Sequence, residues 1–232
     1  MNKPQIILIK PQLAENIGMT ARAMMNCGLD DLRLVTPKES HLSDKAISAS
    51  SGADEILKNA TVYNSTREAI ADLEHVYATT ARRRDMIKNI FTPEAFVKEI
   101  SDNTGILFGP ERTGLENDDI ALADAIIEIP LNPKHTSLNL SQAVLIIGYE
   151  WYKSQTSQPD KQLVTNKTKV ASKEQLLSFL DMLEKKMDSQ GRKISPEKRP
   201  RMIRNLHNIF NRAELTEQEI NTLLGMFNLT KD

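Results

Sequence analysis

Polar and small residues follow three of the apolar segments that the sequence marks as strands, namely the first, the fifth and the sixth. These residues are Asn16, Arg22, Glu111, Gly114, Ser137 and Asn139. Amide, hydroxyl and carboxylate groups bind and orient a ligand, and arginine adds a fixed positive charge. Because ligands bind at the carboxyl ends of the strands in open α/β sheets, we expect these residues to share one site.

Three common classes of enzyme do not fit these residues. The GxxxxG spacing at 109–114 copies the start of a P-loop, but Leu115 and Glu116 stand where Lys and Ser or Thr are needed. The GxGxxG fingerprint of dinucleotide-binding proteins does not occur. Ser137 and Ser141 lack the flanking glycines of a nucleophile elbow. The sequence therefore argues against a nucleoside triphosphatase, a dinucleotide enzyme and a serine hydrolase.

The sequence also argues against a metal site. Cys27 is the only cysteine, which excludes intrachain disulfides and cysteine-based zinc sites. The four histidines, His41, His75, His135 and His207, lack the close spacing of a ligand pair on one helix. We predict that the protein binds no metal.

Composition places the chain among globular proteins. Of its 232 residues, 40% are apolar and 26% are charged. No apolar run approaches the roughly 18 residues that span a bilayer, and the segment MNKPQIILIKPQ has too short an apolar core for a signal peptide. We expect a cytoplasmic protein that does not bind a membrane.

Strands and helices alternate along the first two thirds of the chain. Pro11 and Pro130 end the first and the last strand, because proline cannot donate a hydrogen bond to a neighbouring strand. The predicted strands are 5–9, 32–35, 60–63, 75–79, 105–108 and 126–129. The predicted helices are 16–27, 43–59, 66–73, 92–100, 117–123 and one that begins at Asn139 or Ser141. This order predicts an α/β fold with a mostly parallel sheet.

The first and the last of these helices each have an apolar face. The residues expected on these faces are Ile17, Ala21, Met24 and Met25 in the first helix and Leu140, Val144, Ile147, Tyr149 and Trp151 in the last. Both helices are therefore expected to pack on the sheet.

The composition changes after residue 153. Residues 154–172 are rich in Ser, Thr, Gln, Asn and Lys, which predicts a linker between a domain at 1–153 and an extension at 173–232. Apolar residues at helical spacing predict that the extension is a small all-helical unit, with helices at 173–187, 200–211 and 216–227. Three short helices make a marginal core, so the extension is expected to dock on the main domain or on a second subunit.

The two parts of the chain carry opposite charge. Residues 1–152 contain 15 Lys and Arg against 21 Asp and Glu, whereas residues 153–232 contain 15 against 10. The basic residues cluster at 191–212, a run that suits a polyanion but equally suits a solvated helix face. They are Arg192, Lys193, Lys198, Arg199, Arg201, Arg204 and Arg212.

Three segments resemble the motifs of the SPOUT (SpoU–TrmD) superfamily of RNA methyltransferases, in particular its 2′-O-methylating branch. They are ENIGMTARAM (15–24), LFGPERTGL (107–115) and IPLNPKHTSLNLSQAV (129–144), and the tail at 204–226 resembles that of members acting on tRNA. The resemblance implies an α/β domain with a C-terminal trefoil knot, a rare exception among folds. It also implies a homodimer that transfers a methyl group from S-adenosyl-L-methionine to a ribose 2′-hydroxyl in the tRNA anticodon loop.

The resemblance further implies which residues bind the cofactor. By motif position they are Thr79, Thr80, Ala81, Gly109, Gly114, Ile129, Ser137, Leu138 and Asn139. Backbone groups and small side chains of this kind allow close approach to adenosine, and Ile129 and Leu138 supply apolar walls. Without the motif match the glycines are turn residues and Asn139 is a helix cap, a role that is compatible with ligand contact.

For catalysis, motif position implies Arg22, Asn16, Glu111, Ser137 and Asn139. Arg22 matches an arginine that has been proposed to take the proton of the ribose hydroxyl. Guanidinium is almost always protonated in proteins, so we expect Arg22 instead to position the ribose and to stabilise developing oxyanion charge. Asn16 and Glu111 are expected to hold Arg22 or the substrate.

Contacts with RNA are expected at two places. Arg82, Arg83 and Arg84 follow the fourth predicted strand near the site, and the basic tail extends this contact across a tRNA. Two other functions remain open on the same scaffold. One is methylation of ribosomal RNA or of a base nitrogen, and the other is RNA binding without catalysis.

Overall fold

The computed structural model describes residues 3–80, 87–157, 164, 167–189 and 195–229, with the backbone alone at 227–229. The chain divides into two compact units, residues 1–158 and 159–232. Six residues predicted to bind cofactor or RNA lie outside the described ranges. They are Ala81, Arg82, Arg83, Arg84, Arg192 and Lys193.

A parallel sheet forms the centre of the first unit. In the described ranges its strands are β1 (Gln5–Ile9), β2 (Leu32–Val35), β3 (Thr61–Tyr63), β4 (His75–Thr79), β5 (Asn89–Phe91), β6 (Thr104–Phe108) and β7 (Ala125–Ile127). Their order across the sheet is β3-β2-β1-β6-β4-β7-β5, and each neighbouring pair is parallel. The predicted α/β fold with a mostly parallel sheet is confirmed.

Helices cover both faces of this sheet. They are α1 (Ala14–Asn26), α2 (Asp44–Ser50), α3 (Asp54–Asn59), α4 (Thr66–Ala69), α5 (Pro93–Glu99), α6 (Asn117–Ala121) and α7 (Leu140–Gln155). Successive side chains of a strand point to opposite faces, so Ile6 and Leu8 of β1 join the core beneath α1 and α7. Ile7 and Ile9 join the smaller core on the other face.

The structure differs from the prediction at three elements, of which the helix predicted at 66–73 is shortened to Thr66–Ala69. The single helix predicted at 43–59 is interrupted, because Ser51 and Gly52 adopt positive φ angles of 48° and 96° that end α2 before α3 begins. The three-residue strand β5 was not predicted. It pairs with β7 at the edge of the sheet, and so short a segment carries no periodic pattern.

A buried arginine joins β2 to the segment after α4. Arg33 is 6% exposed and donates to both carboxylate oxygens of Asp72, at 2.6 and 2.9 Å, and to the carbonyl oxygen of Ala69 at 2.8 Å. The hydrogen bonds from Arg33 hold the pKa of Asp72 below its ordinary value. Sequence reasoning identified the strand but not this partner, which lies 39 residues further along.

The second unit contains α8 (Lys173–Ser189), α9 (Arg199–Arg212) and α10 (Glu217–Leu229). Phe179 and Phe210 meet edge to face with their centroids 5.0 Å apart. The predicted linker at 154–172 is ordered at its end, where Val170 pairs with Thr216. The amide of Thr216 donates to the Glu219 carboxylate at 2.7 Å at the start of α10. None of the described helices is long and apolar enough to cross a membrane.

Candidate active site

The strand order brings the loops after β1, β6, β4 and β7 to one edge of the sheet, because these four strands are neighbours. A cavity of about 210 Å³ lies there, between the loop at 109–114 and the loop at 129–138. Its lining residues are Thr79, Thr80, Phe108, Gly109, Pro110, Glu111, Arg112, Thr113, Gly114, Ile127, Ile129, Leu131, Thr136, Ser137, Leu138, Leu140 and Ala143. A cavity at the carboxyl ends of parallel strands is the usual position of a ligand in such folds.

Most of the residues predicted to bind the cofactor line this cavity. They are Thr79, Thr80, Gly109, Gly114, Ile129, Ser137 and Leu138. Asn139 does not line it, since its side chain caps α7 instead. Glu111, predicted from its motif as a catalytic residue, also lines the cavity. The other lining residues lie within the motif segments or next to them, and their own residue types gave no signal that would have identified them.

Glycine is required where the loop after β6 folds back on itself. A Cβ atom at Gly109 would lie 2.2 Å from the backbone nitrogen of Leu115, closer than any real contact. Gly114 has a φ angle of 69°, which L side chains rarely adopt, and its amide donates to the carbonyl oxygen of Pro110 at 2.8 Å. The loop is thereby held as a tight turn against the cavity.

Asn16, which is 4% exposed at the start of α1, joins two of the other motifs. Its amide group donates to the Glu111 carboxylate at 2.6 Å, and its carbonyl oxygen accepts a hydrogen bond from Asn139 at 3.0 Å. The second Glu111 oxygen accepts from the backbone amide of Gln12 at 3.1 Å. Side chains up to 123 residues apart are therefore linked in one chain of hydrogen bonds.

Hydrogen bonds with Ser141 and Gln142 fix Asn139 at the start of α7. The side-chain oxygen of Asn139 accepts from the backbone amide of Ser141 at 2.9 Å, and its backbone amide donates to the side-chain oxygen of Gln142 at 3.1 Å. These bonds form a capping box at the start of α7. The capping role considered from the sequence is therefore present, and it leaves the side-chain NH₂ of Asn139 to reach Asn16.

Arg22 does not join this group within one chain. It is exposed on α1 and donates to the Ser51 hydroxyl at 3.4 Å, and it is absent from the cavity lining. Arg22 lies six residues after Asn16, which in an α-helix is a rotation of about 120° and a shift of about 9 Å. Of the two alternatives expected for Asn16 and Glu111, the described structure does not show that they hold Arg22, and a contact with the substrate stays a prediction. These two side chains hold each other.

The predicted RNA-binding residues of the tail divide into two groups. Arg199 donates to both carboxylate oxygens of Asp188, at 3.1 and 2.8 Å, and so connects α9 to α8. Lys198, Arg201 and Arg204 are exposed. Sequence reasoning could not separate them, because only the packing of α9 on α8 decides which arginine faces an acid.

Comparison with known proteins identifies the family to which the chain belongs. The profile of the SpoU rRNA Methylase family matches residues 3–149. The tRNA (cytidine-2′-O-)-methyltransferase TrmJ of Methanocaldococcus jannaschii is 34% identical over 228 residues, which cover 96% of this chain and 97% of that protein. The tRNA (cytidine/uridine-2′-O-)-methyltransferase TrmJ of Sodalis glossinidius is 36% identical and is covered to 89% by the match, which spans 96% of this chain.

A solved structure extends the likeness to the fold. The crystal structure of TrmJ from Z. mobilis ZM4 superposes with a TM-score of 0.85 at 44% identity, covering 97% of this chain and 98% of that one. The resemblance inferred from three motifs and the tail is therefore confirmed at the level of the family. The trefoil knot that it implies stays a prediction.

Replacing Asn16 tests whether the hydrogen bonds at the cavity hold the loops together. Asn16→Ala leaves Glu111 and Asn139 each without one partner, so we expect the free energy of unfolding to fall by about 2–3 kcal/mol. Urea unfolding followed by the fluorescence of Trp151, the single tryptophan, reports on the first unit. Asn59→Ala, at an exposed position on α3, is the control and should change it by less than about 0.5 kcal/mol. Equal effects of the two substitutions would contradict the linking role of Asn16.

Proposed function

The chain belongs to the SpoU rRNA Methylase family, and from this premise we propose that it methylates a ribose 2′-hydroxyl of tRNA with S-adenosyl-L-methionine as donor. The observation that carries the proposal is the cavity at the sheet edge, whose walls contain seven of the nine residues expected to bind the cofactor. We assign the anticodon loop as the target and the cytoplasm as the location, as the resemblance implies.

The residues of the cavity fit the proposed donor. Ile129 and Leu138 provide apolar surface for an adenine ring, and Gly109 brings backbone close to the cavity without a side chain. When bound, the donor supplies a methyl group on a positively charged sulfur. The protein residues supply position and electrostatics, and among the described residues no cluster suited to a metal ion occurs.

The exposed position of Arg22 supports a role in stabilising negative charge on the substrate. As the ribose oxygen attacks the methyl group, negative charge develops on this oxygen, and a nearby guanidinium stabilises it. Because guanidinium stays protonated, Arg22 acts by position and charge and does not accept the proton. Its weak 3.4 Å contact with Ser51 leaves the guanidinium available for the substrate.

We propose that a second copy of the chain covers the outer surface of α1 and α7. These helices pack against each other and expose the apolar side chains Met19, Met25, Leu145, Tyr149 and Tyr152. Met25 and Tyr149, expected on buried faces, are each 56% exposed. Arg22 lies between Met19 and Met25 on the same face of α1, because every third residue recurs there. We propose that in this twofold dimer Arg22 of one protomer acts at the cavity of its partner.

The polar face of α9 provides a second contact with RNA. Arg201, Arg204, Asn208 and Arg212 recur along one exposed side of the helix over about 16 Å. No acidic residue occurs in α9. A stripe of this kind neutralises backbone phosphates without reading their sequence.

Transfer of a labelled methyl group to bulk tRNA tests the activity. We expect Arg22→Ala to lower kcat by about 10²–10³-fold, as for loss of one group that stabilises an oxyanion, while calorimetry shows unchanged affinity for the donor. Ser51→Ala removes the partner of Arg22 and is expected to keep the activity.

The same assay with purified ribosomal RNA tests whether ribosomal RNA, and not tRNA, is the substrate. Mass spectrometry of nucleosides then distinguishes methylation of the ribose from methylation of a base. Labelling of ribosomal RNA alone, or of a base, would refute the proposal.

Charge substitutions on α7 test the dimer. Leu145→Lys combined with Tyr149→Lys should convert a dimer into a monomer in sedimentation equilibrium. If Arg22 acts across the interface, a purified heterodimer of Arg22→Ala and Leu138→Glu keeps one intact site and about half of the wild-type activity. An inactive heterodimer, or a monomeric wild-type protein, would contradict this arrangement.

Substitutions on α9 test the contact of the tail with RNA. Replacing Arg201, Arg204 and Arg212 by alanine should weaken tRNA binding by more than about tenfold at fixed salt, because three phosphate contacts are lost. Replacing Lys58, Arg67 and Lys98 removes the same charge from the first unit and serves as the control. Equal affinity of the two triple variants would show that the stripe makes no specific contribution.

A further inference from the structure

The cavity has very few charged residues in its walls. Among the described lining residues only Glu111 and Arg112 are titratable. Both carboxylate oxygens of Glu111 already accept hydrogen bonds, from Gln12 and Asn16. Arg112 is thus the one lining cation in the part of the chain that the structure describes, and no ion pair with an acid is described for it.

Arg112 lies on an ordered turn and faces solvent. The turn is closed by the hydrogen bond from Gly114 to the carbonyl oxygen of Pro110, and the neighbouring Glu111 is fixed towards α1. The Arg112 side chain itself is exposed. A rigid backbone with an exposed guanidinium at the cavity is suited to a partner that arrives from solvent.

A second basic residue lies on the opposite loop, between two residues that line the cavity. Lys134 is exposed and lies between Leu131 and Thr136, which both line the cavity. Its backbone amide donates to the Asn132 side chain at 3.0 Å, and the amide of His135 donates to the Asn132 carbonyl oxygen at 2.8 Å. The two loops that enclose the cavity therefore each present one cation on a fixed turn.

The net charges of the methyl donor and of the RNA indicate which of the two is bound by Arg112 and Lys134. S-adenosyl-L-methionine carries a sulfonium and an ammonium against one carboxylate, so its net charge is positive. RNA carries one negative charge on each phosphate. Two cations on the loops that enclose the cavity therefore attract the RNA and not the donor as a whole.

On the basis of the proposed function, we infer that Arg112 and Lys134 bind backbone phosphates on either side of the nucleotide that is methylated. A ribose whose flanking phosphates are held on both loops presents its 2′-hydroxyl to the cavity between them. Such contacts fix position and carry no information on base identity. Sequence patterns had singled out Arg82, Arg83 and Arg84 for this task, and neither Arg112 nor Lys134.

The salt dependence of tRNA binding tests this inference. For Arg112→Ala combined with Lys134→Ala, we expect the slope of log affinity against log salt concentration to become shallower by roughly 1.4–1.8, the value for two phosphate contacts. The KM for bulk tRNA should rise, and calorimetric affinity for S-adenosyl-L-methionine should stay within about twofold of wild type. Arg67→Ala combined with Lys98→Ala removes the same charge elsewhere and should leave the slope unchanged.

A charge-preserving variant completes the test. Arg112→Lys retains the charge, and we expect it to keep the wild-type slope. An unchanged slope in the alanine variant overturns the inference. A loss of donor affinity without a change of slope also overturns it and assigns Arg112 to the carboxylate of the donor. If the wild-type protein does not methylate tRNA at all, the proposed function fails instead, which this assay records separately.

Discussion

The hydrogen bonds of one buried asparagine hold the candidate site together. Asn16 bonds to Glu111 after β6 and to Asn139 before α7, and all three groups are polar atoms that would be costly to leave without partners. Because Glu111 also accepts from the backbone of Gln12, the loops after β1, β6 and β7 are fixed relative to each other. The cavity keeps its shape because these loops cannot move independently.

The order of the strands makes this interaction possible. β6 lies directly between β1 and β4, and β7 lies next to β4. Segments that are distant in the sequence therefore end side by side. The tight turn after β6 and the capping box of α7 set the two walls of the cavity. The same local geometry leaves Arg112 and Lys134 on the loops that enclose it, facing solvent.

Sequence reasoning reached the parallel sheet and most of its helices, because proline, glycine and apolar periodicity are local signals. It reached the walls of the cavity through the resemblance of three motifs to a known family. Gly109 and Asn139 also carried local signals, and the structure gives each a definite geometric role. Features that depend on packing were missed. The pairing of Arg33 with Asp72, the pairing of Arg199 with Asp188 and the edge strand β5 all require knowledge of which distant segments meet. Arg22 was assigned to the site by its motif, but the turn of α1 directs it away from Asn16.

A crystal structure of the protein with S-adenosylhomocysteine tests the central claim most directly. The account predicts an adenine ring between Ile129 and Leu138, its ribose beside Gly109, and both hydrogen bonds of Asn16 retained. An adenosine bound outside this cavity, or a bound state in which Asn16 has released Glu111 and Asn139, would contradict it.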